Sequence, residues 1–156
     1  MINIKSDSRK IKPGDIFVAL KGLSSNGDEY ISNAILNGAS KVVVDNDSTY
    51  EIETLRVSDT RKYLNEYLSN NYGKYLDEMN IIGITGTNGK TTSAYLIYQA
   101  LNRIGFKCAY IGTIGFYLDK KICSLDNTSP DTCDLYDMIM TSYEKGFKNI
   151  VIEASS

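Results

Sequence analysis

The sequence contains no histidine. That absence removes Ser-His-Asp and Cys-His nucleophile systems, imidazole metal ligation and histidine acid–base work. Any chemistry falls to carboxylates, hydroxyls, lysine, arginine and a bound metal. Cysteine is scarce: Cys108, Cys123 and Cys133 are odd in number and far apart, with no CxxC. Neither a disulfide framework nor a zinc site is indicated, and free thiols, buried or half-buried, are expected. There is no basic run, and 17 Lys+Arg against 19 Asp+Glu leave a net charge of −2. This points away from a nucleic-acid partner. No apolar stretch approaches membrane-spanning length, and Met1-Ile2-Asn3-Ile4-Lys5 lacks the apolar core of a signal peptide. No membrane partner and a cytoplasmic location are therefore expected. The hydrophobic fraction is ordinary for a globular chain, and 156 residues fit one large or two small domains.

What is present centres on Ile81-Ile82-Gly83-Ile84-Thr85-Gly86-Thr87-Asn88-Gly89-Lys90-Thr91-Thr92. A short apolar run reads as a buried strand. A Gly-rich turn follows, and then a helical pattern with apolar residues at Ala94, Ile97, Leu101 and Ile104. Strand, glycine loop, lysine, hydroxyl and helix are the order a phosphate-cradling loop requires. Lys90 is placed to put a point charge on the β- and γ-phosphates, and the Thr91 hydroxyl to ligate Mg2+. The expected ligand is a nucleoside triphosphate. The general P-loop pattern is off by one residue, because Ile84 stands where its first glycine belongs. The competing reading is a strand-to-helix turn with an incidental lysine.

Taken in order, Ser6 to Arg9 and Pro13-Gly14 are turn-like, and Asp15 to Leu20 reads as a buried strand. Lys21 to Gly27 is a loop of small polar residues. Asp28 is the expected N-cap of a helix that Gly38 terminates. Strands are expected at 41–45 and 55–57, then a helix capped by Asp59 or Thr60 and closing near Gly73. The polar joint Asp77-Glu78-Met79-Asn80 suggests a domain boundary, with residues 1–78 and 79–156 as the two domains. Beyond the phosphate loop, 107–112 reads as a strand and 119–121 as a hairpin turn. A helix is expected after Pro130 and a last buried strand at 149–153. Strands alternating with helices predict α/β architecture, a parallel, doubly wound sheet in each half. Glu153 ends its strand on the side where open parallel sheets bind ligands, so it is a candidate Mg2+ ligand.

Several of these segments are similar to one family. Gly86-Thr87-Asn88-Gly89-Lys90-Thr91-Thr92 resembles the ATP loop of the Mur ligases, which also accounts for the misfit to the general pattern. Asp7-Ser8-Arg9, then Pro13 to Ala19 and Gly22, resemble the family's N-terminal uridine-nucleotide domain, and Asn33-Ala34 with Asn37-Gly38-Ala39 fits its next stretch. Gly112 to Gly115, Asn127 to Asp131 and Glu153-Ala154-Ser155-Ser156 are most like the tripeptide-forming member. The resemblance implies an ATP-dependent amide ligase of peptidoglycan precursor synthesis. Such an enzyme adds the third amino acid to UDP-MurNAc-L-Ala-D-Glu through an acyl phosphate.

Carried over residue by residue, the resemblance implies that Gly86, Thr87, Asn88, Gly89, Lys90, Thr91 and Thr92 contact ATP. Lys90 is the catalytic residue, and Thr91 with Glu153 holds Mg2+. Ser6, Ser8, Leu23, Ser24 and Ser25 hold the uridine nucleotide. Asn127, Thr128, Ser129 and Ser155 hold the muramoyl-peptide side. The small-molecule partners are the UDP-MurNAc-dipeptide and an amino acid. Full-length members carry more of the central domain and a third domain, so the chain is expected to be a fragment without ligase activity by itself. Another step of the same family, or a non-catalytic uridine-nucleotide and ATP module, stays open on the sequence.

Overall fold

The computed structural model describes residues 2–22, 26–125 and 127–154. Leu23, Ser24, Ser25 and Ser155, all expected to touch substrate, lie outside the described residues. The chain forms two compact units, one from Ile2 to Asn71 and the other from Tyr72 onward.

The first unit is a four-stranded parallel sheet. Its strands are β1 (Ile4–Lys5), β2 (Ile16–Val18), β3 (Lys41–Val44) and β4 (Glu53–Arg56), in the spatial order β1-β2-β3-β4. The order follows the sequence without reversal, so the doubly wound pattern does not extend to this half. The strands are short, and Val42, Val43 and Val44 are fully buried, as expected of a strand covered on both faces. Phe17, Val42 and Val44 pack with Ile11, Ala19, Ile31 and Ala34. A 3-10 turn at Gly27–Tyr30 leads into α1 (Ile31–Leu36). Its cap is Asn26, whose side chain accepts from the Asp28 N–H, rather than Asp28 itself. Helix α2 (Thr60–Leu76) starts at Asp59, whose carboxylate accepts from the Lys62 N–H at 2.9 Å. Leu64 and Leu68, one turn apart, are its buried apolar pair in this unit.

The expected stop of α2 at Gly73 does not occur. Glycine costs about 1 kcal/mol inside a helix, and two tyrosines hold the last turn. Tyr72 meets Tyr136 edge-on, and Tyr75 meets Tyr143 at 5.1 Å between ring centres.

The second unit carries β5 (Asn80–Ile84), α3 (Lys90–Arg103), β6 (Cys108–Gly112), β7 (Gly115–Tyr117), β8 (Lys121–Cys123), α4 (Thr132–Glu144) and β9 (Asn149–Glu153). Strand order is β5-β9-β6-β7-β8. The chain leaves β5, crosses by α3 to β6, and returns by α4 to lay β9 between them. Right-handed crossovers in opposite directions place α3 and α4 on opposite faces. On the α3 face, Ala94 and Tyr98 pack with Cys108, Tyr110 and Val151. On the other face Ala109, Ile111 and Ile150 are fully buried. β5, β9 and β6 are parallel as expected and β7 and β8 form the expected hairpin, but β7 also runs antiparallel to β6. The reason is local: Thr113-Ile114 is a two-residue loop, too short for a crossover. Gly115 follows it with φ +124°, and an added Cβ there would meet the Cys123 carbonyl oxygen at 2.4 Å. Asp131, just after Pro130, caps α4 by accepting from the Asp134 N–H.

None of the three cysteines is in a disulfide; Cys108 and Cys133 are buried, whereas Cys123 is exposed, against expectation. Burial raises the Cys108 pKa from 9.0 to about 11. The unfolded thiol ionises first, so its contribution to stability is complete below pH 9 and is lost as pH rises through 11. Urea midpoints measured from pH 8 to 11 are expected to fall, and to fall less steeply in Cys108→Ala. Equal slopes in the two chains would remove the thiol as a cause.

Candidate functional site

The phosphate-loop segment joins β5 to α3 within the second unit. Gly86 (φ +141°) and Gly89 (φ +75°) take backbone angles that side chains resist, and Gly89 is the residue preceding the helix. α3 opens with no side-chain cap. The N–H groups of its first turn are therefore left for an anion, at the positive end of a 14-residue helix dipole. Lys90 folds back, its Nζ donating to the Gly86 carbonyl at 2.7 Å. The side chain thus clasps the loop across the hollow that an anion would enter. Thr87, Asn88, Gly89 and Thr92 are exposed along the same rim.

Glu153 is the last residue of β9 and is 1 % exposed. It pairs in register with Ile84, the end of the P-loop strand. Its carboxylate meets four donors. Oε2 accepts from the Thr91 hydroxyl at 2.8 Å and the Thr113 hydroxyl at 3.1 Å. Oε1 accepts from the Thr113 N–H at 3.1 Å and from the Tyr110 phenol. Burial, followed by the hydrogen bond to this carboxylate, holds the Tyr110 phenol well above its ordinary pKa. Ile111 pairs with Ile152, which sets Gly112 beside Glu153. A Cβ on Gly112 would lie 2.3 Å from Oε1 and 2.6 Å from the Tyr110 oxygen, so only glycine leaves this cradle open.

Of the residues expected on the substrate side, Thr128 and Ser129 come to this centre. The Thr128 hydroxyl is 3.0 Å from that of Thr113, and Ser129 donates to the Glu153 carbonyl at 3.5 Å. Asn127 is exposed on the same loop. Sequence reasoning did not single out Tyr110, and it matched Gly112 and Thr113 to a family motif without giving either a role at the site. A phenol inside an otherwise apolar strand was the available signal, but its partner depends on the β6–β9 register.

A carboxylate and a hydroxyl are hard oxygen donors suited to Mg2+. Among the described residues no group of three or more His, Cys, Asp or Glu side chains is placed to hold a metal. The pair therefore fits a cation that takes its other ligands from phosphates and water, as Mg2+ does in nucleotide sites.

In the first unit, Ser6 and Ser8 line a cavity of about 390 Å³ with Asp7, Arg9, Tyr30 and Asn33. Asp7 accepts from the Arg9 N–H and from its guanidinium, with Nη2 to Oδ2 at 2.7 Å. The guanidinium holds the Asp7 carboxyl below its ordinary pKa. Ser8 is buried, and its carbonyl accepts from Asn37 Nδ2 at 2.9 Å, which ties this turn to the end of α1. A cavity edged by two hydroxyls, an arginine and an exposed tyrosine ring offers phosphate-binding and base-stacking groups together.

Comparison with known proteins gives consistent matches. Residues 2–77 match the model of the Mur ligase family catalytic domain, and residues 84–156 that of the Mur ligase middle domain. A UDP-N-acetylmuramoyl-L-alanyl-D-glutamate–2,6-diaminopimelate ligase of Clostridium perfringens is 40% identical over 99% of the chain. The protein of that name from Aquifex aeolicus is 39% identical over 98%. In each case the chain spans 32% of the relative, about a third of its length. A solved structure of a ligase of the same name covers 98% of the chain and 31% of its own, with a TM-score of 0.74 at 26% identity. A MurF ligase from Thermotoga maritima, solved with ADP, covers 98% of the chain and 32% of its own, with a TM-score of 0.64; at 20% identity it speaks to the fold alone. No helix among the described residues is long and apolar enough to cross a membrane.

Proposed function

The chain belongs to the Mur ligase family, and from that premise we propose that it carries the uridine-nucleotide and ATP-phosphate sites of an ATP-dependent acid–amino-acid ligase. In this reading residues 1–78 are the uridine-nucleotide domain and 79–156 belong to the ATP-binding domain. The reaction is addition of the third amino acid to UDP-MurNAc-L-Ala-D-Glu in the cytoplasm. The observation that carries the reading is the Thr91–Glu153 pair beside an uncapped helix start, because a phosphate loop and a cation carboxylate meet there on neighbouring strands.

The residues divide the work. The loop 86–89 and the first N–H groups of α3 bind the phosphates. Lys90 leaves the Gly86 carbonyl and places its charge on the β- and γ-phosphates, where transfer to a substrate carboxylate builds up charge. Thr91 and Glu153 would hold Mg2+, which when bound neutralises phosphate charge. The substrate carboxylate takes the γ-phosphoryl group and ADP leaves, giving an acyl phosphate; the incoming amine then attacks its carbonyl carbon, and phosphate and a proton are lost as the amide forms. Thr128 and Ser129, beside Glu153, face the muramoyl-peptide side. Ser6 and Ser8 receive the uridine nucleotide, with the Arg9 guanidinium at the same cavity.

Two titrations test the two ends. ATP with Mg2+ is expected to bind the chain in a calorimeter, and absence of binding would favour a uridine-nucleotide module without a working loop. UDP-MurNAc-dipeptide is expected to bind the first unit, and Ser8→Ala to weaken it roughly 10- to 150-fold, the cost of one hydrogen bond to a charged group. Unchanged affinity would remove Ser8 from the substrate site.

A further inference from the structure

We propose that Tyr110 is a positioning residue for the cation site: its phenol fixes the rear oxygen of Glu153 so that the front oxygen stays aimed at Thr91. The proposal rests on the reading of Glu153 as the cation carboxylate.

An ionised carboxylate offers about four acceptor positions, and Glu153 meets four donors. The two oxygens differ in what holds them. Oε2 faces two threonine hydroxyls, which rotate freely about their C–O bonds. Oε1 faces the Thr113 N–H of a two-residue hairpin loop, whose direction the backbone fixes, and the Tyr110 phenol, whose oxygen the packed ring holds in place and whose proton conjugation favours in the ring plane. A cation arriving between Thr91 and Glu153 needs a lone pair from each. The hydroxyl protons can swing aside at Oε2 while Oε1 keeps both donors. The carboxylate then gains a metal without losing its orientation.

The phenol is itself held. Tyr110 lies among three other rings, with ring centres 5.6 Å from Tyr95, 6.0 Å from Tyr98 and 5.8 Å from Tyr117. Tyr95 and Tyr98 belong to α3, the helix that the phosphate loop opens, and Tyr117 to β7. The missing Cβ of Gly112 gives the phenol and Oε1 the space in which they meet. A tyrosine serving only to fill the sheet would have no need to point its one polar atom at a buried carboxylate. Partners behind a metal ligand typically change metal affinity 10- to 100-fold when removed.

The test titrates the full chain with ATP, once with saturating Mg2+ and once with EDTA, and takes the ratio of the two affinities. Tyr110→Phe keeps the ring and loses only the hydroxyl. It is expected to leave binding in EDTA unchanged and to lower the ratio about tenfold. Tyr98→Phe is the control, because it deletes a buried phenol of the same cluster that donates to the Leu118 carbonyl and does not touch Glu153. Its ratio is expected to match the unsubstituted chain. Tyr110→Phe with an unaltered ratio overturns the proposal, as does an equal fall in both variants, which would mark a packing effect. Glu153→Gln separates the underlying reading: it is expected to abolish the Mg2+ dependence. If the dependence survives there, or if the unsubstituted chain binds no ATP or binds it indifferently to Mg2+, the cation reading of Glu153 fails and Tyr110 loses its role with it.

Discussion

Replacing Gly112 with alanine is expected to destabilise the chain by about 2–5 kcal/mol, adding the ordinary cost of overpacking to that of breaking buried hydrogen bonds. The backbone angles at Gly112 suit any residue, since it is not among the glycines with positive φ. The cost comes from space. The new Cβ would sit 2.3 Å from Glu153 Oε1 and 2.6 Å from the Tyr110 oxygen. Both are ends of side chains, which elsewhere would simply move. Here the carboxylate is held by three residues and the phenol by three rings, so moving either breaks a buried hydrogen bond. Total stabilities of such domains are about 5–15 kcal/mol, so a loss of this size is a sizeable share of the whole. Urea unfolding followed by far-ultraviolet circular dichroism measures it. A midpoint equal to that of the unsubstituted chain would show that Glu153 has an alternative seat.

The second large effect is on binding. Lys90→Ala is expected to lower affinity for ATP with Mg2+ roughly 10- to 150-fold, the value of one hydrogen bond to a charged group, about 1.5–3 kcal/mol. Folding should be almost indifferent, because the substitution removes a single hydrogen bond to a loop carbonyl in a partly exposed setting. Arginine should not restore the affinity, since its planar fork does not replace a compact ammonium in a hollow lined by N–H groups. Calorimetric titration of the two variants checks this. Retention of full affinity by Lys90→Ala would reduce the lysine to a clasp on the empty loop.

Local signals in the sequence carried a good part of the architecture. The strand, loop and helix from Ile81 to Arg103 were legible because each depends on neighbours a few residues away, although the strand is half-buried at most, with Ile81 40% exposed, rather than buried as expected. Glu153 was legible for a related reason: a carboxylate closing a buried apolar run has few places to go except the rim of a sheet. What stayed hidden depends on pairing at a distance. Nothing near Tyr110 in sequence announces Glu153; only the insertion of β9 beside β6 brings them together. The hairpin between β7 and β8 was legible at 119–121, but the reversal from β6 into β7 was missed because Thr113-Ile114 lacks the usual turn signature, whereas Gly115 after it carries the unusual angle. The overrun of α2 past Gly73 reflects ring packing winning over intrinsic helix preference. The cap at Asn26 in place of Asp28 reflects a choice between two good capping residues that composition does not make.

β9 follows β5 and β6 in chain order and lies between them. During synthesis, β5 and β6 emerge as two edges with no partner between them, and neither can complete its ladder on that side. Closure waits for Asn149–Glu153 and spans 69 residues in sequence from Asn80 to Asn149, the kind of distant pairing that slows assembly. The loop 86–89 is therefore made early but cannot be fixed against its strand until the segment bearing Glu153 docks. Filling the gap between β5 and β6 and seating Glu153 against Thr91 become a single event, so the loop 86–89 is not fixed before Glu153 arrives.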